Sequence, residues 1–251
     1  MFLREPSHIL LLLLVLVILF GAKRLPDWKS VSLTVGGAAA LIVPFIFFFL
    51  KEKPELLGIA PYGAPAGWQP PAPNEMSAGQ IALDTLQKSS RSRDFWILFG
   101  TFFVCGLSTN GLIGTHFIPA AHDHGMIETV AASLLALVGV FDVIGTIFSG
   151  WLTDRIDPRK LLFFYYGLRG LSLLLLPSIL FRTMHPSTLV FIIFYGLDWV
   201  ATVPPTIVLC RRVLGPERGT IVYGWVFSGH QIGAATAAIG AALLRTHFGN
   251  Y

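Results

Sequence analysis

Four ionisable side chains stand inside otherwise apolar stretches of the chain: Asp142, Arg169, Asp198 and His230. A charge in hydrocarbon is costly, so such residues either line a path for solutes or protons or pair with one another. Arginine stays charged at any ordinary pH and presents a planar fork that fits a carboxylate. Arg169 therefore reads either as the holder of an anionic solute or as the counter-ion of Asp142 or Asp198, and residue type leaves both open. His230, with an unperturbed pKa of about 6.5, suits proton transfer at ordinary pH. Beside Gly229 it reads equally as a hydrogen-bonded core histidine. The run Ser108-Thr109-Asn110 adds neutral hydrogen-bonding groups, and Asn110 is grouped with the solute or proton site, although such residues also glue helices together.

The elements that must position these groups follow from composition. Of 251 residues, 54% are hydrophobic and 13% charged, and the mean hydropathy is +0.68. Soluble domains carry roughly a quarter charged residues, so a soluble globular class is excluded and lipid must solvate much of the chain. Apolar runs occupy residues 8–22, 31–50, 95–119, 128–150, 161–181, 188–210 and 219–244. The expectation is an all-α, polytopic membrane helix bundle of about seven transmembrane helices. The first run is short, and a signal peptide is its rival reading. Against cleavage after Ala22, Phe20 stands where a small residue is wanted.

Counting at about 1.5 Å per residue from the basic ends of these runs places all four ionisable groups roughly 12–18 Å deep, in one layer near the midplane. Secondary transporters bind solutes and coupling ions at that depth. Arg4, Lys51, Lys53, Lys88, Arg91, Arg93, Arg155, Arg159, Lys160, Arg211, Arg212 and Arg218 gather on one side of the expected topology. That asymmetry marks the cytoplasmic side and accounts for the net charge of +4 without a nucleic-acid partner.

The stretch GIAPYGAPAGWQPPAPNE removes backbone donors and favours extended structure. It divides the chain into a two-helix part (residues 1–50), a cytoplasmic Pro-rich linker (51–93) and a five-helix part (94–251). Pro204 and Pro205 fall within the sixth run and must interrupt its hydrogen bonds, as a hinge or as a static kink.

No motif calls for a cofactor or metal. Cys105 and Cys210 lie apart within apolar runs, with no metal-ligand spacing. His122-Asp123-His124 lacks a further placed ligand and reads as a solvated loop. An intramembrane hydrolase pairing Ser108 with His230 would need a nucleophile motif that the chain lacks. The chain is not expected to be an enzyme.

The connection Gly150-Trp-Leu-Thr-Asp154-Arg155-Ile-Asp-Pro-Arg159-Lys160 resembles the G-x-L-x-D-R-x-G-R-R loop of the major facilitator superfamily. It departs at Asp157 and Pro158. The run Lys51-Glu-Lys-Pro54-Glu55-Leu-Leu-Gly58-Ile-Ala-Pro61-Tyr-Gly63 is similar to the start of the central loop in its monocarboxylate and oxalate/formate-type branch. The glycine-rich stretch with Gly229 and Gly233 looks like the eleventh helix.

The resemblance implies most of a C-terminal six-helix half plus a remnant of the first, apparently truncated at both ends. It also implies a gate role for Gly150, Asp154, Arg155, Arg159 and Lys160, and places Gly229 and Gly233 with Pro204 and Pro205 as hinge positions. The expected function is a secondary active transporter, or part of one. It would move a small, anionic organic solute by alternating access in the cell (inner) membrane, with His230 suited to proton coupling. The alternative is a truncated, non-transporting membrane protein or a half-bundle that needs a missing complementary half.

Overall fold

Hydrocarbon offers no partner to backbone amides, so lipid-exposed segments must satisfy their own hydrogen bonds as helices. The computed structural model describes residues 28–51, 54–60, 63–65, 68–69, 76–180 and 185–249, which contain helices, turns and no strand. The apolar run 8–22 lies outside the described residues. The chain divides into two compact units, Met1–Asn74 and Glu75–Tyr251.

In the first unit, α1 (Trp28–Phe49) is followed by a short 3₁₀ turn, Pro54–Leu57. In the second, α2 (Ala78–Ser89) precedes α3 (Arg93–Gly106), which continues through a π-helical turn (Leu107–Ile113) into α4 (Gly114–Asp123). Then come α5 (Glu128–Thr153), α6 (Pro158–Leu175), α7 (Pro186–Asp198), α8 (Val203–Leu214) and α9 (Gly219–Phe248).

Among the described residues, five stretches are long and apolar enough to cross a membrane: Lys29–Phe49, Arg93–Asp123, Glu128–Thr153, Pro158–Ser178 and Pro186–Leu214. The 30-residue α9 has the length but spends much of its surface on Gly, Ala, Ser, His and Gln. A polytopic helical bundle is thus what the sequence builds.

Three departures from the expected elements matter for the site. The run 95–119 is not a uniform helix, because its Ser-Thr-Asn-Gly stretch winds as a π turn. The run 188–210 is interrupted at residues 199–202, upstream of Pro204 and Pro205, and the prolines open α8 instead of kinking one helix. Proline at the start of a helix gives up an amide that would be unpaired anyway. Residues 78–89, within the stretch read as linker, form α2. Its Ser77 and Gln80 make a capping box, two reciprocal bonds that fix a helix start.

Lipid tails are as apolar as leucine, so close van der Waals packing, not water exclusion, holds helices together. Small residues supply that closeness. A Cβ at Gly233 on α9 would overlap Phe103 O of α3, and one at Gly145 on α5 would overlap Leu197 O of α7. Two apolar clusters result. Phe95, Leu98 and Phe102 of α3 meet Cys210, Val222 and Val226 at the basic end. Ile113, Phe117, Leu134, Val138, Phe191, Ile192 and Tyr195 fill the opposite end.

Candidate functional site

The polar layer lies between these two clusters. Along α3 the order runs Phe102, Cys105, then Ile113; along α7 and α8 it runs Tyr195, Asp198, Thr202, then Cys210. Buried within this interval are Cys105, Ser108, Thr109, Ser149, Arg169, Asp198, Thr202, Thr206 and His230.

Arg169 is the centre of the layer and is only 2% exposed. Its Nε donates to Asp198 Oδ2 at 2.6 Å and its Nη1 to Cys105 Sγ at 3.0 Å. Its Nη2 reaches the carbonyls of Asp198 at 2.6 Å and Trp199 at 3.2 Å. The guanidinium also sits 5.5 Å from the Tyr166 ring centroid. Of the two aspartates open to it by sequence, Arg169 therefore pairs with Asp198. A buried guanidinium needs both charge compensation and hydrogen-bond acceptors, and the end of α7 offers a carboxylate and two carbonyls together.

Asp142 does something else. Its Oδ1 accepts from the backbone N–H of Val200 at 2.9 Å and from Thr146 Oγ1 at 3.1 Å. The side chain is half-buried. His230 is buried and stacks on Phe227, with ring centroids 5.1 Å apart. Among the described residues, three buried atoms in this region have no partner within 3.5 Å in hydrogen-bonding geometry: Asp198 Oδ1, Tyr166 OH and His230 Nδ1. Buried polar atoms are nearly always satisfied, so these three mark where the layer has spare bonding capacity.

The π turn carries Asn110 on an exposed face. Its neighbours stabilise the wider winding, since Ser108 Oγ and Thr109 Oγ1 donate to Cys105 O at 3.0 and 2.7 Å. Such bulges recur at functional sites. Tyr195 OH ties α7 to this turn through Ser108 O at 2.7 Å. Ser108 Oγ is thus engaged with carbonyls of its own helix and does not donate to a ring nitrogen, as the hydrolase reading would need. A cleft of ≈ 610 Å³ opens between α5, α6 and α7, with Phe148, Leu168, Leu175 and Phe194 on its walls and Arg169 and Asp198 at its lining.

At the basic end, Asp154 caps α5 and is exposed, with Arg159 and Lys160 exposed on the first turn of α6. Arg155 folds back, donating to Trp151 O at 2.9 Å and lying 4.2 Å over the Trp151 ring. Asp157 and Pro158 have a local reason. Asp157 accepts from Arg159 N–H at 2.9 Å as the cap of α6, and Pro158 opens that helix. Arg218 bonds Asp84 and Thr85 of α2, and Trp225 Nε1 donates to Ala82 O at 3.0 Å. Hydrogen bonds from Lys88 and then Arg218 hold the Asp84 carboxyl below its ordinary range.

Gly229 and Gly233 both face α3 across its closest approach to α9. In the His122-Asp123-His124 loop, Asp123 forms a two-bond pair with Arg245, at 2.9 and 3.1 Å. His124 Nδ1 lies 2.9 Å from Ala120 O. Among the described residues, no group of three or more His, Cys, Asp or Glu is placed to hold a metal. Reasoning from sequence missed Cys105, Ser149 and Tyr166 as members of the layer. Ser149 was within reach, because it lies seven residues after Asp142 and so on the same helix face.

Comparison with known proteins agrees with the geometry. The Major Facilitator Superfamily profile matches residues 9–238. Monocarboxylate transporter 12-B of Danio rerio is 29% identical over 229 residues, covering 82% of this chain and 46% of that protein. An uncharacterized MFS-type transporter of Bacillus subtilis (strain 168), YcxA, is 26% identical over 196 residues, covering 71% of this chain and 40% of its own length. The chain thus spans about half the length of these relatives. No solved structure matches it significantly.

Proposed function

The chain belongs to the major facilitator superfamily and is an integral membrane protein, and we propose that it forms the C-terminal half of a secondary active transporter in the cell membrane. The solute is a small organic anion of the monocarboxylate class, moved by alternating access with a coupled proton. The observation that carries this reading is the Arg169–Asp198 pair, closed at 2.6 Å in a polar layer between two apolar clusters.

The pair gives proton coupling a chemical form. Arg169 is saturated while Asp198 is ionised, so an incoming carboxylate gains its charge only by replacing Asp198. A proton taken up on Asp198 removes that competitor, and the solute's carboxylate then restores neutrality around the guanidinium. One proton and one anion enter together, which leaves the buried charge balanced in both states. His230, with its unpartnered Nδ1, is placed in the same layer to relay the proton. Asp142 and Asn110, less buried, face the approaching solute. Gly150, Asp154, Arg155, Arg159 and Lys160 form the cytoplasmic gate loop, whose exposed Asp154 meets the complementary half. Gly229, Gly233, Pro204 and Pro205 set the helix crossings about which the halves move.

The test is uptake of labelled pyruvate into proteoliposomes under an imposed inward proton gradient. Gradient-driven accumulation by a protein containing this half, abolished in Arg169→Gln, supports the reading, whereas proton-independent uptake removes the coupling. A second reading, a half-bundle inactive by itself, is favoured by coverage of only 46% and 40% of the two relatives. Uptake that needs co-reconstitution with a complementary half identifies it.

A further inference from the structure

The interruption between α7 and α8 keeps a few bonds of its own, Trp199 N–H to Gly196 O at 3.1 Å, Val203 N–H to Val200 O at 2.9 Å and Thr206 N–H to Thr202 O at 3.3 Å, and its remaining polar groups are held by side chains of other helices. A helix that ends at Asp198 leaves carbonyls without partners, and one that begins at Val203 leaves amides without partners. Arg169 of α6 supplies the carbonyl side, at 2.6 Å to Asp198 O and 3.2 Å to Trp199 O. Asp142 of α5 supplies the amide side, at 2.9 Å to Val200 N. Ser149 Oγ of α5 donates to Ala201 O at 2.5 Å. Cys105 Sγ of α3 meets Thr202 Oγ1 at 3.7 Å. Charge follows the same logic, with a cation at the end of α7 and an anion just before α8, each favoured by the local helix dipole.

Three of these features share one face of α5. Asp142, Gly145 and Ser149 stand at i, i+3 and i+7, a single stripe of an α-helix. Gly145 is the middle of the stripe, and a Cβ there would overlap the Leu197 carbonyl. The stripe is therefore a seat for the break: an acceptor, a gap and a donor, matched to Val200 N–H, Leu197 O and Ala201 O in turn.

We infer that this seat makes residues 199–202 a hinge of the transport cycle, with Asp142 the positioning residue that releases it. A break bonded within its own helix could travel as a rigid kink. A break bonded to α3, α5 and α6 must exchange bonds whenever those helices move relative to α7 and α8. The two locks are unequal. Arg169 is buried and engaged by four acceptors, whereas Asp142 is half-buried and holds the break by one backbone bond. The Asp142 lock opens first. This rests on the transport reading for its purpose, but not for its geometry.

The test uses the full chain in lipid nanodiscs and two readings. Amide exchange at Val200 reports the lock. Spin labels at Trp151→Cys on α5 and Arg212→Cys on α8 report helix separation, with native Cys105 and Cys210 buried away from reagent. Loss of a protecting hydrogen bond in Asp142→Leu raises Val200 exchange by about tenfold and adds a second label distance. Asp142→Asn keeps a side-chain carbonyl acceptor and changes neither by more than about threefold.

Unchanged exchange in Asp142→Leu overturns the lock. Faster exchange with a single, unshifted distance overturns the hinge and leaves a static kink. An Asp142→Asn variant that behaves like Asp142→Leu overturns the role of the acceptor. If Asp142→Leu fails to accumulate, Ser149→Ala, which removes only the donor to Ala201 O, is read for the second distance, and its absence counts against the hinge. Failed pyruvate uptake even after co-reconstitution with a complementary half, with both readings intact, would remove the transport reading and leave the hinge standing.

Discussion

Replacing Arg169 by glutamine tests whether the layer is organised around one ion pair. Arg169 is 2% exposed and Asp198 7% exposed, so solvent screening does little to soften the loss. Removing one partner of a buried pair leaves an uncompensated charge, at a cost of about 3–5 kcal/mol. The carbonyls of Asp198 and Trp199 lose their donor as well. A stranded buried acceptor costs about 1–3 kcal/mol, but glutamine recovers part of this, so the total is expected near 4–5 kcal/mol. That is a large part of the roughly 5–15 kcal/mol by which proteins are stable.

Asp198→Asn strands the Arg169 cation in turn, but it keeps an acceptor opposite Nε and Arg169 keeps its two carbonyls, so the expected loss is at the lower end, about 3 kcal/mol. In the double variant two amides face each other with no charge to strand, and the loss should fall to about 2 kcal/mol. The coupling between the sites is then about 5 kcal/mol, readable as a double-mutant cycle of denaturant midpoints in detergent micelles. Additivity within about 0.5 kcal/mol would refute the argument, because independent sites behave that way. Transport then separates the roles of Arg169. If it only pairs, the double variant recovers folding and uptake together; if it also holds the solute's carboxylate, the variant folds but stays inactive.

Three further outcomes follow from other parts of the bundle. Asp84 has a lowered folded-state pKa, so its contribution to docking α2 is present above the unfolded carboxylate range near 4 and lost as pH falls through the folded value. Acidification from pH 6 toward 3 should release α2, seen as a change in Trp225 fluorescence relative to Trp225→Phe, and Asp84→Asn should lack that step. Gly233→Ala forces a Cβ onto Phe103 O and should cost about 1–3 kcal/mol or more, while Gly224→Ala, which meets nothing within 4 Å, should be neutral or mildly stabilising in the same melt. Asp154→Asn should slow turnover more than it alters solute affinity, since Asp154 lies at the end of α5 away from the layer; an unchanged rate with altered affinity in pyruvate uptake would contradict the gate role.

The common level of the layer's side chains along the bundle was legible because rise per residue is fixed, so Arg169, Asp198 and the nearby Asp142 could be aligned by counting alone. Partner choice was not legible. It depends on where α7 stops, and the prolines signal a stop without locating it. Proline disfavours helix in the preceding residue, yet the break begins earlier, at Trp199, because Asp142, Ser149 and Arg169 satisfy its backbone from outside. Those bonds are tertiary and leave no local trace. The capping box at Ser77 and Gln80 and the Asp157-Pro158 start of α6 were readable in principle. In the first case the proline-rich run just upstream outweighed it, and in the second the departure from a family pattern drew more notice than the cap it creates.

α5 joins the two regions that the proposed cycle must coordinate. At 26 residues it is about 39 Å long, with the Asp154 loop at one end and the Asp142–Gly145–Ser149 stripe inside it. Ser149 lies only five residues, about 7.5 Å, from Asp154. α5 is continuous from Glu128 to Thr153 and contains no proline, and its Ser149-Gly150 pair, between the stripe and the loop, is a place where such a helix can bend. In the proposed cycle, a swing of the gate loop is passed along α5 to the stripe, about 7.5 Å away by helix rise. The break is where the motion can be absorbed, since its bonds end on side chains that can turn. In the proposed cycle, the cation on one side of the break and the half-buried carboxylate on the other couple gate position to the charge state of the layer.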